Sequence, residues 1–151
     1  KALKTDERTL SLLGDAWTMA REYGKAEPIL RQAAQISGTG ENFFRLGQIY
    51  IDDEKWKEAI EVLEKAQAKG GLKRPGDAAF LIGVGAFQSG DRNRAIASFQ
   101  RAVGFDESRS NATQWLAHVR QLQEQDALNA AHAAAMKDAA DAVKKGPSNS
   151  N

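Results

Sequence analysis

At 151 residues the chain is long enough for one ordinary domain, and with 42% hydrophobic residues it has material for a continuous core. Its 21 basic and 20 acidic residues nearly cancel, which argues against nucleic acid as the main partner, and the absence of cysteine removes disulfides and thiolate chemistry. No stretch approaches the roughly 20 consecutive apolar residues of a membrane span. The chain opens on Lys1 rather than Met, as expected of an excised piece, so the absence of a signal peptide or anchor carries no weight.

Taken in chain order, the periodicity predicts helices near 7–20 and 25–37, the second with Pro28 in its first turn, where no N–H is needed. Helices near 41–52 and 54–69 follow. In the latter, Trp56, Ala59, Ile60, Leu63 and Ala66 recur at steps of three and four and define one apolar face, with Asp53 at the expected N-cap. The stretch from Lys69 to Gly76 reads as a loop: Gly70 and Gly71 end one helix, and Arg74-Pro75-Gly76 turns into the next. Helices near 76–89 and 92–104 come next, with Asp91 as the N-cap of the second. The segment 108–125 reads as a capping helix with Trp115, Leu116, Val119 and Leu122 inward. The segment 126–145 is an alanine-rich helix with a narrow stripe of Leu128, Ala131, Ala135, Ala139 and Val143. That helix could continue the array, dock in a groove, or self-associate with another copy. Residues 146–151 read as a disordered tail.

The first six helices repeat. Leu13-Gly14, Leu46-Gly47 and Ile82-Gly83 are each followed, 12 residues after the glycine, by Ala26, Ala59 and Ala95. Sixteen residues after it come Leu30, Leu63 and Phe99, and nineteen after it Ala33, Ala66 and Ala102. Trp17 and Tyr50 stand three after the first two glycines, where the third copy has Ala86. This register resembles the tetratricopeptide repeat (TPR). The usual closing proline is missing, with Gly38, Gly71 and Glu107 near those places. The resemblance implies an all-α, right-handed α-solenoid of three helix pairs, at about 7–39, 40–75 and 76–107, followed by the capping and alanine-rich helices. No helix pair can bury its apolar face alone, so stacked neighbours share one core.

Catalysis finds no support. Gly83-Val84-Gly85 with Gly90 has the wrong spacing for a dinucleotide loop, lacks a preceding strand, and falls inside a helix in register with Gly14 and Gly47. A Gly-Lys-Ser/Thr phosphate loop is missing. His118 and His132 have no partner at metal-ligand spacing and read as helix-surface imidazoles, and Asp52-Asp53-Glu54 reads as charge at a helix start. The expectation is a protein without enzymatic activity, metal or cofactor.

Function then rests on a surface. In the TPR family the first helices line a concave groove for a peptide or protein. One stripe of those helices here carries Ser11, Asp15 and Thr18, then Phe44, Gln48 and Ile51, then Phe80, Val84 and Phe87. The resemblance therefore implies partner binding through Phe44, Gln48, Ile51, Phe80, Val84 and Phe87. The alternative is that Phe80, Val84 and Phe87 are covered by the chain's own C-terminal helices. A clamp for a terminal carboxylate is not expected, because Ser11, Asp15 and Gln48 stand where its cationic and amide groups belong, with only Arg8 and Arg45 nearby.

A narrower resemblance lies in "KGGLKRPGDAAFLIGVGAF", "AIASFQRAV" and "ATQWLAHV", which are similar to TPR proteins of Gram-negative bacteria found with TonB-ExbB-ExbD transport machinery. It implies a periplasmic or periplasm-facing accessory of outer-membrane uptake of iron complexes. The alternatives are a general TPR adaptor in envelope, pilus or secretion assembly, a binding domain cut from a larger enzyme, and, for location, the cytoplasm.

Overall fold

The computed structural model describes residues 6–147, so the expected tail beyond Pro147 lies outside the described residues. Within them there are seven helices and no strand. They are α1 (Glu7–Met19), α2 (Tyr23–Ile36), α3 (Glu41–Asp52), α4 (Trp56–Lys69), α5 (Pro75–Gln88), α6 (Arg92–Val103) and α7 (Arg109–Lys145). Each helix packs on the next in sequence, and α5 also touches α3 and α7, so the core runs as a strip along the stack.

The repeated residues explain the pairing of helices. A Cβ on Gly14 would lie 2.4 Å from Leu30 Cδ2, one on Gly47 2.4 Å from Leu63 Cδ2, and one on Gly83 2.5 Å from Phe99 Cε1. Each glycine thus takes the side chain sixteen residues later into the space a side chain would occupy. Leu30, Leu63 and Phe99 are fully buried, as are the alanines at 26, 33, 59, 66, 95 and 102. Small residues on both sides bring the two helices of each repeat together, and one large residue fills the contact. Gly85 is also a packing glycine, since its Cβ would approach Ile60 Cγ1 to 3.0 Å. Both glycines of the Gly-Val-Gly motif are therefore helical positions filled from neighbouring helices.

The turn between paired helices is equally regular. Seven residues after each repeat glycine stand Arg21, Glu54 and Gly90, all with positive φ (59°, 57° and 84°). The following N–H groups, of Glu22, Lys55 and Asp91, donate to the carbonyls of Trp17, Tyr50 and Ala86 at 2.8–2.9 Å. This left-handed helix stop closes the first helix of every repeat. Only the third repeat fills it with the residue that adopts it without cost.

Four local expectations are corrected. α4 begins at Trp56, so Asp53 closes α3 rather than capping α4, and its carboxylate pairs with Lys55 at 2.6 Å. Asp52-Asp53-Glu54 therefore sits at a helix end, where the dipole disfavours negative charge. α2 begins at Tyr23, which puts Pro28 beyond the first turn; the missing N–H leaves the carbonyl of exposed Gly24 to solvent. The boundary expected near residue 126 is absent, because α7 is one helix of 37 residues through both segments. Asp91 caps α6 as expected, accepting from the Arg94 N–H at 3.0 Å.

Repeats one and two are also joined by a polar contact. The Tyr50 hydroxyl donates to Glu27 and accepts from Arg31 Nη2, both on α2. Tyr50 is 2% exposed, and burial together with the Glu27 carboxylate pushes its hydroxyl up to about 12. The same hydrogen bond holds the Glu27 carboxyl below its ordinary value.

Candidate peptide-binding groove

The first helices of the repeats, α1, α3 and α5, present the stripe singled out in the sequence, and α7 continues it. The two ends of this face differ. At the α5 end, Trp115 of α7 packs edge-on against Phe87 with ring centroids 5.4 Å apart, and its centroid lies 6.4 Å from Phe80. The Phe80 ring also lies 5.7 Å from Phe99. Phe80, Val84 and Phe87 are all half-buried against the shared core. The chain's own helix thus takes up much of the apolar surface these residues offer, and exposed His118 stands 5.9 Å from Phe87 at its edge.

At the α1 end the face is open. α1 and α3 enclose a cleft of about 290 Å³ lined by Asp15, Thr18, Met19, Arg45, Gln48, Ile49 and Asp52. Side chains bridge its floor. Arg45 Nε pairs with Asp15 Oδ1 at 3.2 Å, and Arg45 Nη1 donates to Asn42 Oδ1 at 3.0 Å. The same Asn42 oxygen accepts from Ser11 Oγ at 3.0 Å, and Asn42 is buried. This ladder fixes the guanidinium without consuming all five of its N–H donors. Thr18 Oγ1 donates to the Gly14 carbonyl at 2.8 Å, so its lone pairs face outward as acceptors. Met19 is 86% exposed at the rim.

Of the six residues expected to bind a partner, Gln48 is exposed and lines this cleft. Phe44 and Ile51 lie on the same helix, half-buried in the core, while Phe80, Val84 and Phe87 sit at the opposite end. The structure brings Gln48 together with Asp15 and Thr18 of the same stripe. It adds Met19, Arg45, Ile49 and Asp52, which the sequence reading did not assign to binding. Arg45 lies one helical turn before Gln48, and that spacing could have found it.

The repeat geometry and the stacked core define a TPR-type α-solenoid. Residues 43–75, within the second repeat, match the tetratricopeptide repeat family. Among solved structures the fold is similar to MamA protein, with a TM-score of 0.72 and 20% identity, over 80% of this chain and 66% of MamA. It is similar to the N-terminal domain of stress-induced protein-1 from C. elegans, with a TM-score of 0.62 and 17% identity, over 72% of this chain and 92% of that domain. YrrB, described as a TPR protein with an unusual peptide-binding site, gives a TM-score of 0.67 and 22% identity, over 77% of this chain and 59% of YrrB. The chain thus spans less than two thirds of MamA and of YrrB. No curated protein matches the sequence at a significant level.

Proposed function

We propose that the protein is a non-catalytic scaffold that holds a partner polypeptide along the α1–α3–α5 face, entering at the cleft between α1 and α3. The observation that carries this reading is the open cleft with Gln48, Thr18 and the fixed Arg45 guanidinium aimed into it beside exposed Met19. Gln48 and Thr18 offer hydrogen bonds to an extended backbone, and Met19 gives an adaptable apolar contact. YrrB, a TPR protein with an unusual peptide-binding site, supports the reading by analogy of fold. With Arg45 paired to Asp15, the cleft keeps one exposed carboxylate, Asp52, so binding of an uncharged segment depends little on salt.

A photo-crosslinking residue in place of Gln48, compared with one in place of Gln100 on α6, tests this in cells. Adducts to a second polypeptide from position 48 and none from position 100 are expected. Adducts from position 100 alone would move the partner to the other face.

The finer reading is an accessory of TonB-dependent uptake facing the periplasm. It is supported by the sequence likeness of residues 69–87, 95–103 and 112–119 to TPR proteins of those systems. Adducts containing a TonB, ExbB or ExbD component support it. Recovery of the protein in the cytoplasmic fraction would refute it.

A further inference from the structure

We propose that the projecting half of α7 pairs antiparallel with the same segment of a second copy of this chain. Beyond Gln123 every described residue of α7 is exposed, and three of the protein's large exposed apolar residues, Leu128, Met136 and Val143, lie there. The exposed part, from 124 to 145, would be about 33 Å long at about 1.5 Å per residue. Alanine-rich sequence helps such a helix, but most helical stability comes from packing an apolar face, which this segment lacks within one chain.

The sequence of the segment is self-complementary about Ala135. Leu128, Ala131, Ala135, Ala139 and Val143 share one face. In an antiparallel pair centred on Ala135, Ala135 meets its own copy, Ala131 meets Ala139, and Leu128 falls opposite Ala142, one residue from Val143. Large residues close both ends, and alanines in the middle let the axes approach at the short end of the usual 8–10 Å range. The charges agree. Glu124 starts the segment in line with the stripe, and Lys145 ends it, flanking the stripe on the side of Ala131. Antiparallel pairing brings each Glu124 beside the other copy's Lys145, twice by symmetry, whereas parallel pairing sets like against like. It also places the two solenoids at opposite ends of the pair. Two helices of this length bury about 1,000 Å² in total, at the lower limit for a specific interface, so a weak, concentration-dependent dimer is expected.

The test is sedimentation equilibrium of the full chain across about 1–500 μM, with single cysteines as reporters of register. The chain has no cysteine of its own, so each reporter is unambiguous. A concentration-dependent dimer is expected. Ala135→Glu sets a carboxylate against its own copy and is expected to weaken the dimer at least tenfold, while Ala130→Glu on the opposite face leaves it unchanged. Under mild oxidation Ala135→Cys should crosslink to itself, and Leu128→Cys should crosslink to Val143→Cys but not to itself. A monomer throughout the range overturns the proposal, as does Leu128→Cys crosslinking to itself. Equal weakening by Ala130→Glu and Ala135→Glu would refute the stripe as the interface.

Discussion

Gly83→Ala isolates the packing rule that builds the repeats. The added methyl would lie 2.5 Å from Phe99 Cε1, 2.6 Å from Cδ1 and 3.0 Å from Cζ, against ordinary contacts of about 3.5–4.0 Å. Leu30 and Leu63, facing Gly14 and Gly47, are branched aliphatic side chains with two rotatable bonds and no ring to lock them. Phe99 is a rigid ring, fully buried between Phe80 and Trp115, with centroids 5.7 Å and 5.6 Å away. Overpacking costs about 1–3 kcal/mol, and the upper end applies to a ring locked by two others. Alanine regains up to about 1 kcal/mol of helix propensity over glycine, so the net loss is about 2 kcal/mol. With a urea slope of about 2 kcal/mol/M for a small domain, the midpoint followed by circular dichroism should fall by about 1 M. Gly24→Ala in α2 is the control: a Cβ there meets nothing within 4 Å, so its midpoint should hold or rise. If Gly83→Ala is as stable as the parent, close approach at the repeat glycine does not determine how the helices pair.

Three further outcomes follow from the turns, the buried tyrosine and the cap. Glu54→Gly relieves a left-handed residue and should stabilise by about 0.5 kcal/mol, whereas Gly90→Ala at the equivalent turn should destabilise by about 1 kcal/mol; urea midpoints of the pair decide this. Folding raises the Tyr50 hydroxyl to about 12 from about 10, so its contribution is intact below pH 10 and is lost as pH rises towards 12, a fall of about 2–3 kcal/mol. Tyr50→Phe should flatten that alkaline fall, and an unchanged slope would refute the assignment. Trp115→Ala should cost about 3–5 kcal/mol and raise binding of a hydrophobic dye, because it uncovers Phe80 and Phe87; a folded variant with unchanged dye fluorescence would show that α7 does not cover them.

The helix pairs were legible because their cause is local and repeated. A glycine and a large apolar residue sixteen positions later form one contact, and three copies of that spacing outweigh any single propensity. The turns were less legible. Gly90 advertises a left-handed residue, but Arg21 and Glu54 adopt the same geometry without the residue that signals it, because helix packing on both sides fixes the backbone there. Asp53 misled for a related reason. An aspartate ahead of an apolar run reads as an N-cap, yet the stop of α3 needs residues 53–55 and delays α4 to Trp56. Trp17 matches Tyr50 in register but is only half-buried, with the Lys25 ammonium 4.5 Å over its ring, since α1 has no preceding helix among the described residues.

The site was harder to read because a stripe on a first helix has the same pattern whether it faces a ligand or the next helix of the stack. Which of the two holds for Phe80 and Phe87 depends on Trp115, 35 and 28 residues further on, and on α7 taking the place a fourth repeat would fill. Apolarity, which made these phenylalanines look like anchors, is also what lets α7 close the stack. The open end is polar for the complementary reason. Between α1 and α3 the bridge is made by Ser11, Asn42, Arg45 and Asp15, whose hydrogen bonds hold two helices together without the close apolar contact that would fill the cleft. In this chain the face is open where polar side chains bridge α1 and α3 and filled where apolar ones meet α7. The proposed binding surface therefore takes in Gln48 and Arg45, while Phe80 and Phe87 pack against Trp115 of α7.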